Sequence, residues 1–277
     1  MKAVLFLSHL VSPSIYWTFQ RLSGIDPESY DTIWLYDKSG ESTPWPVRTA
    51  RHHAFSADRL VNEEYSFATG KSLSSNTHFP VINFREENKE YTHYWVVEHD
   101  VRFTGDWEFL FDSFQENDTD FLTASVSRYA NAQEFVFWDS LSHPSIQIPK
   151  HKRIRSFNPI YRISAEALDF IIDLHRNGWS GHQEVLLPTL LHNNGFTIED
   201  FGGEGEFVPD HRRNVWYTSK NLNNFGVPDG GTHRFRPRFW KAGSRPNTIY
   251  HPVKPMSWFA KRRLERLPAL GRLLESP

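Results

Sequence analysis

The amino-acid sequence predicts an α/β protein with a mostly parallel central sheet and helices on both of its faces. Three observations lead there. Short apolar and aromatic runs of strand length recur at Ala3–Leu7, Asp31–Asp37, Tyr94–Val97 and Phe121–Val126. Segments of helical pattern separate them, the alternation that builds a parallel sheet. Two of the runs end in acids, Asp37 and the Glu98/Asp100 pair, and ligands of such sheets gather beyond the carboxyl ends of the strands.

Each element has its own reason. Met1–Leu7 begins like a signal peptide, but the apolar run stops at Ser8-His9 with no small-residue cleavage site, so a first strand is the better reading. Ser14–Leu22 follows Pro13 as a helix, and Asp31–Asp37 is the second strand. Ser56–Glu64 and Phe79–Glu90 read as helices, the second leading into the strand before Glu98. Asp106–Glu116 is a further helix, followed by the strand Phe121–Val126. In the second half Phe157–Ile163 is a strand, and Ser164 caps a helix over 165–176. Gly178–Glu184 is a turn-rich connection into an apolar helix, Val185–Asn193, in which Pro188 suits a first-turn position. Gly195–Phe201 returns as a short strand. From Gly202 to Pro255 the chain is rich in Gly, Pro, Arg, His and Asn and reads as long loops, which in a compact domain are usually functional or disordered.

Composition narrows the chemistry. The chain has 277 residues, 39% of them hydrophobic, enough for a substantial core in one large domain or a domain with a tail. A formal net charge of −2 argues against nucleic acid as the partner of the whole surface. Cysteine is absent, which removes disulfides, thiolate metal sites and Cys nucleophiles and leaves His and carboxylates as the strong metal ligands. That absence also fits a reducing compartment, and a cytoplasmic location is the expectation. No segment approaches the ~20 apolar residues needed to cross a bilayer. The last segment, 256–277, reads as a basic amphipathic helix that either lies on an anionic membrane surface or closes the domain.

The most informative stretch is His93–Trp107. Tyr94-Trp-Val-Val97 is a buried strand that ends in Glu98-His99-Asp100. Side chains two apart in an extended segment share a side, so both acids face one place. The pair reads either as a solvated turn, paired with a neighbour such as Arg102, or as oxygen ligands for Mg²⁺ or Mn²⁺. Asp37 either contacts a ribose or base, as strand-end acids do in nucleotide folds, or caps the next turn. Gly230–Lys254 carries His233, Arg234, Arg236, Arg238, Lys241 and Arg245 with no acid, a loop suited to closing over a diphosphate or simply a solvated surface.

This pattern resembles the GT-A-type glycosyltransferases. Glu98-His99-Asp100 stands where that superfamily carries its D-x-D-type motif, and Trp95–Trp107 resembles an uncharacterised GT-A-like group with E-x-D-V-R followed by G-x-W. The resemblance spans roughly residues 1–255. It implies a GT-A-like, Rossmann-like domain over 1–255, with a nucleotide-sugar-binding half (1–127) and an acceptor half (128–255). It implies Mn²⁺ or Mg²⁺ held by Glu98, Asp100 and His251, with Lys254 approaching the diphosphate and Asp37, His99 and Arg102 near the donor. Asp100 is the safer ligand, because the first acid is Glu where Asp is usual. Glu184, at a helix start, matches the general base beside the acceptor, with inversion implied by a single base; a capping carboxylate is its plain reading. His182 would face the acceptor, and Trp179 and Trp240 could each stack on a sugar at the acceptor side or pack in the core, the commoner fate of a Trp.

The activity so implied is transfer of a sugar from a nucleoside-diphosphate donor, a UDP-sugar by family habit, to a glycan or lipid-linked acceptor, as in polysaccharide biosynthesis. Two rivals stand beside it. One is a sugar nucleotidyltransferase, which usually carries a glycine-rich phosphate loop after the first strand, where Ser8–Pro13 has no glycine. The other is an inactive, aromatic-rich carbohydrate-binding protein on the same fold.

Overall fold

The computed structural model describes residues 1–39, 42–65, 68–70, 72–219 and 222–254. The expected helix over 256–277 lies outside the described residues. The chain runs β1 (Lys2–Ser8), α1 (Pro13–Ser23), β2 (Tyr30–Asp37), α2 (Trp45–Arg48), β3 (His52–Phe55), α3 (Ala57–Arg59, continued by a π-helical turn), α4 (Phe79–Glu87), β4 (His93–Glu98), β5 (Arg102–Phe103) and α5 (Trp107–Asp112). It continues through β6 (Phe121–Arg128), β7 (Ile154–Ser164), α6 (Ala165–Arg176), α7 (Gln183–Asn193), β8 (Ile198–Asp200) and β9 (Ile249–Tyr250).

Seven strands form one sheet in the order β3-β2-β1-β4-β7-β6-β8. All neighbours are parallel except at β7, which runs antiparallel to both β4 and β6. This is the mostly parallel α/β sheet that the alternating runs predict. β5 and β9 make a separate antiparallel pair.

The sheet is buried on both faces, which is why its strands read as unbroken apolar runs. Leu5, Ile33, Tyr94 and Val96 enter the core under α4, α6 and α7. Their strand neighbours Val4, Phe6, Trp34, Trp95 and Val97 enter the opposite core, under α1 and α5. Among the described residues no helix is long and apolar enough to cross a membrane.

Several boundaries differ from the sequence-based expectation. β3 was not expected, because His52-His53 hides its apolar character. β7 starts at Ile154, three residues earlier than expected, and its 11 residues are all buried, Arg155 and Arg162 included. Arg162 is held by the carbonyls of Phe114, Asn117 and Thr119 at 2.6–3.0 Å and lies over the Trp95 ring. α4 and α5 end earlier than expected, at Glu87 and Asp112.

The capped helix is as expected: the Ser164 hydroxyl accepts the Ala167 N–H at 3.1 Å. α7 is not. It begins at Gln183, so Pro188 lies inside it and not in its first turn. The lost backbone bond is outweighed because Val185–Leu191 is buried throughout. Leu187→Ala, at a fully buried position of this helix, should lower unfolding free energy by about 2–5 kcal/mol in a denaturant titration.

Candidate metal and nucleotide site

β2 departs from β1 on one side and β4 lies on the other, so the strand order reverses at the β1/β4 boundary. The carboxyl ends of these two strands open the crevice where α/β sheets bind ligands. Glu98 is the last residue of β4. The His99 N–H donates to the Leu7 carbonyl (2.9 Å) and the Val101 N–H to the Glu98 carbonyl (3.0 Å), turning the chain at the crevice mouth. The β5–β9 pair then brings a distant segment home: Arg102 pairs with Tyr250, and the Val253 N–H donates to the Asp100 carbonyl at 2.8 Å. That pairing sets His251 and Lys254 beside Asp100.

Glu98, Asp100 and His251 each offer a ligand atom, all within 4.8 Å of one another. His251 Nδ1 lies 2.9 Å from the Arg234 carbonyl, which can only accept, so Nδ1 carries hydrogen and Nε2 is the atom turned to Asp100. Nε2 is 3.5 Å from Asp100 Oδ1, and Lys254 Nζ is 2.5 Å from Asp100 Oδ2. Asp100 Oδ1 is buried with no hydrogen-bond partner. An orphaned carboxylate oxygen, a second carboxylate and an imidazole nitrogen together fit a divalent cation such as Mn²⁺ or Mg²⁺.

The electrostatics follow from burial and crowding. Burial, the neighbouring Asp100 and the charge of Glu184 push the Glu98 carboxyl up to about 8, against the pull of Lys254. Burial would raise Asp100 too, but the facing His251 ring, His99 and Lys254 outweigh it and hold its carboxyl well below the usual range. A cation held here would compete with the proton that the raised Glu98 carboxyl keeps, to about pH 8. Apparent Mn²⁺ affinity should rise about tenfold per pH unit up to that point, in titrations at several pH values. A flat profile would remove Glu98 from the ligand set.

The other expected residues divide. Lys254 sits at the site as its ion pair shows. The His99 ring is buried, meets the His9 ring edge-on at 4.9 Å, and burial lowers its pKa to about 4. Arg102 was expected at the donor; its Nη1 instead donates to the carbonyls of His99 (2.7 Å) and Val101 (2.8 Å), clamping the turn that holds the acids. Asp37 caps its turn: Oδ1 accepts the Ser39 N–H, the Ser39 hydroxyl and the Ala57 N–H at 2.5–3.0 Å. Of the two readings of Trp179, acceptor stacking and packing, the structure has the second: its ring is in the core, 5.0 Å from His143. Trp240 remains exposed.

His182 is the N-cap of α7. Its Nδ1 accepts the Glu184 N–H at 3.3 Å, and its ring stacks flat on Phe137 at 3.8 Å. Burial lowers its pKa to about 4, so this ring is neutral near pH 7. Glu184 occupies the first turn of α7 with its side chain only 12% exposed. Burial pushes its carboxyl up to about 7, offset by the charge of Arg155 and the Asn158 N–H. Its charge reaches the cluster, where it raises the Glu98 carboxyl further.

Two residues at the site carried no sequence signal of their role. Arg155 is fully buried on β7, donates to the Gly226 carbonyl and lies 4.7 Å over the Phe135 ring. It was missed because it precedes the expected strand Phe157–Ile163, and only the structure extends β7 back to Ile154. His233 is buried among Phe157, Tyr217 and His251, with ring centroids 5.0, 5.1 and 5.6 Å away, and neither ring nitrogen has a hydrogen-bond partner. Its place in the basic loop was visible; its burial was not.

A family described as protein of unknown function (DUF3405) matches residues 54–120, a stretch that includes Glu98-His99-Asp100. No curated protein matches the chain significantly. Among solved structures, a putative glucose-1-phosphate thymidylyltransferase from Bacillus anthracis, crystallised with sucrose, is 14% identical, with 72% of this chain and 87% of that one covered at a TM-score of 0.37. Mouse xyloside xylosyltransferase 1, in its apo form, is 11% identical, with 73% and 86% covered at a TM-score of 0.41.

Proposed function

We propose that the protein is a metal-dependent glycosyltransferase that moves a sugar from a nucleoside-diphosphate donor, a UDP-sugar in the first instance, to a hydroxyl of a glycan or lipid-linked acceptor. The observation that carries this reading is the Glu98/Asp100/His251 cluster at the crevice mouth, with one buried carboxylate oxygen left unpartnered.

Each residue has a task in this reading. Glu98, Asp100 and His251 hold the cation, which when bound supplies Lewis-acid neutralisation of the diphosphate. Lys254 adds a fixed positive charge facing the leaving group. Glu184 accepts the proton of the acceptor hydroxyl. The acceptor oxygen then bonds to the anomeric carbon, while the bond from that carbon to the diphosphate oxygen breaks and its electron pair leaves with the nucleotide. A single displacement, with the acceptor oxygen entering opposite the leaving group while Glu184 takes its proton, inverts the anomeric centre. Arg102 clamps the acidic turn, and His182, stacked on Phe137, fixes the start of the helix that carries Glu184.

The reading is tested by calorimetric titration of UDP and GDP with and without Mn²⁺. Binding of either nucleotide that requires Mn²⁺ is the expected result. Glycan binding without any metal-dependent nucleotide binding would favour the inactive carbohydrate-binding protein instead.

A further inference from the structure

The segment 222–241 lies beside the candidate site and presents an unusual surface. Leu222 bridges Pro228, the Phe235 N–H donates to the Pro228 carbonyl at 2.9 Å, and Asp229 bridges Arg236. The Val136 N–H donates to the Phe225 carbonyl at 3.3 Å, adding the 135–137 segment to the same layer. Gly226 makes this closure possible: at φ +64° a side chain is disfavoured, and an added Cβ would collide with the Phe135 backbone. The apolar side chains so gathered face water, with Phe225 62%, Val136 53%, Phe235 44% and Leu222 36% exposed.

Cations are interleaved with them. The Arg236 guanidinium lies 5.1 Å over the Phe235 ring and the Lys241 ammonium 4.9 Å over the exposed Trp240 ring. Residues 222–241 carry Arg234, Arg236, Arg238 and Lys241 against the single acid Asp229. The layer is tied to the candidate site at both ends. The Arg234 carbonyl holds His251 Nδ1, Phe239 pairs with Val253, and Phe137, next to Val136, stacks on His182.

We propose that this layer docks on an anionic lipid surface. Aromatic rings enter the boundary between headgroups and acyl chains, while the cations beside them stay with the phosphates. A soluble anionic polysaccharide would satisfy the cations but leave Phe225, Leu222 and Val136 in water, so the bilayer is the better match. The docking stands by itself; that it turns Glu184 and the metal cluster toward an acceptor at the bilayer rests on the transferase reading.

The test is co-sedimentation of the full chain with vesicles of phosphatidylcholine alone or mixed with phosphatidylglycerol. The expected result is binding to the anionic vesicles, weakened by salt. It should fall at least about tenfold in Phe225→Ser/Phe235→Ser and in Arg236→Glu/Lys241→Glu, with circular dichroism unchanged in both and any nucleotide binding unchanged in Phe225→Ser/Phe235→Ser. No binding by the wild type, undiminished binding by both variants, or binding to soluble heparin but not to vesicles would each overturn the proposal. Vesicle binding as expected with no metal-dependent nucleotide binding would refute the transferase reading alone.

Discussion

Asp100→Asn should abolish Mn²⁺-dependent nucleotide binding, lowering apparent metal affinity by more than about 100-fold. Loss of a residue that only orients a ligand already costs about 10–100-fold. The amide keeps the volume of the carboxylate but loses its charge, and both of the carboxylate's oxygens face cationic or ligand atoms: Oδ2 meets Lys254 Nζ at 2.5 Å and Oδ1 meets His251 Nε2 at 3.5 Å. Thermal denaturation controls for folding, because Lys254 and His251 lose their partner in the variant. Calorimetry in which the Asp100→Asn variant still binds UDP with Mn²⁺ as tightly as the wild type would rule out this cluster as the diphosphate site.

Glu184→Gln should lower kcat by about 10²–10⁴ with donor binding little changed, the signature of losing a group that acts in the transition state. Its pH dependence is the sharper readout. The base is active when ionised, so wild-type kcat should rise with pH through about 7, and the glutamine variant should lose that limb. Stability moves the other way. The folded carboxyl titrates at about 7 against an ordinary 4.5, so the folded state holds its proton longer than the unfolded chain. Stability from this group is present below its ordinary range and declines as pH rises through about 7. The wild type should therefore lose stability between pH 4.5 and about 7 more steeply than Glu184→Gln in paired denaturant titrations. A variant with normal turnover and an unchanged slope would return Glu184 to the role of a helix-capping carboxylate.

Much of this arrangement was legible in the order of residues. The runs at Ala3–Leu7, Asp31–Asp37, Tyr94–Val97 and Phe121–Val126 are strands because sheets covered on both faces need apolar residues at every position. The acids at the end of the Tyr94–Val97 run were marked by the cost of leaving two carboxylates at a core edge. Ser164 and the helix after it were local chemistry, and local chemistry is written in adjacent residues.

Other assignments depended on distant partners. Asp37 and Arg102 were chosen for their charge and position, but Arg102 finds its backbone partners within three residues and Asp37 reaches the Ala57 N–H twenty residues on, which spacing alone does not reveal. Trp179 follows a glycine in a polar stretch and looks exposed, yet the returning helix and His143 cover it. Pro188 pointed to a helix start, and the packing of α7 on β7 overrode it.

The order of residues carries the alternation that makes an α/β sheet, the strand that delivers Glu98 and Asp100, and the chemistry those acids invite. Periodicity and apolar length suffice for that, because they act over a few residues. Which groups meet them depends on contacts between distant segments. His251 and Lys254 reach Asp100 through the β5–β9 pairing, and Arg155 comes within electrostatic reach of Glu184 because β7 runs antiparallel through the sheet. Burial and charge then set the two carboxyls at about 8 and about 7, since the energy of an ionised group depends on what surrounds it in space and not on its neighbours in the chain.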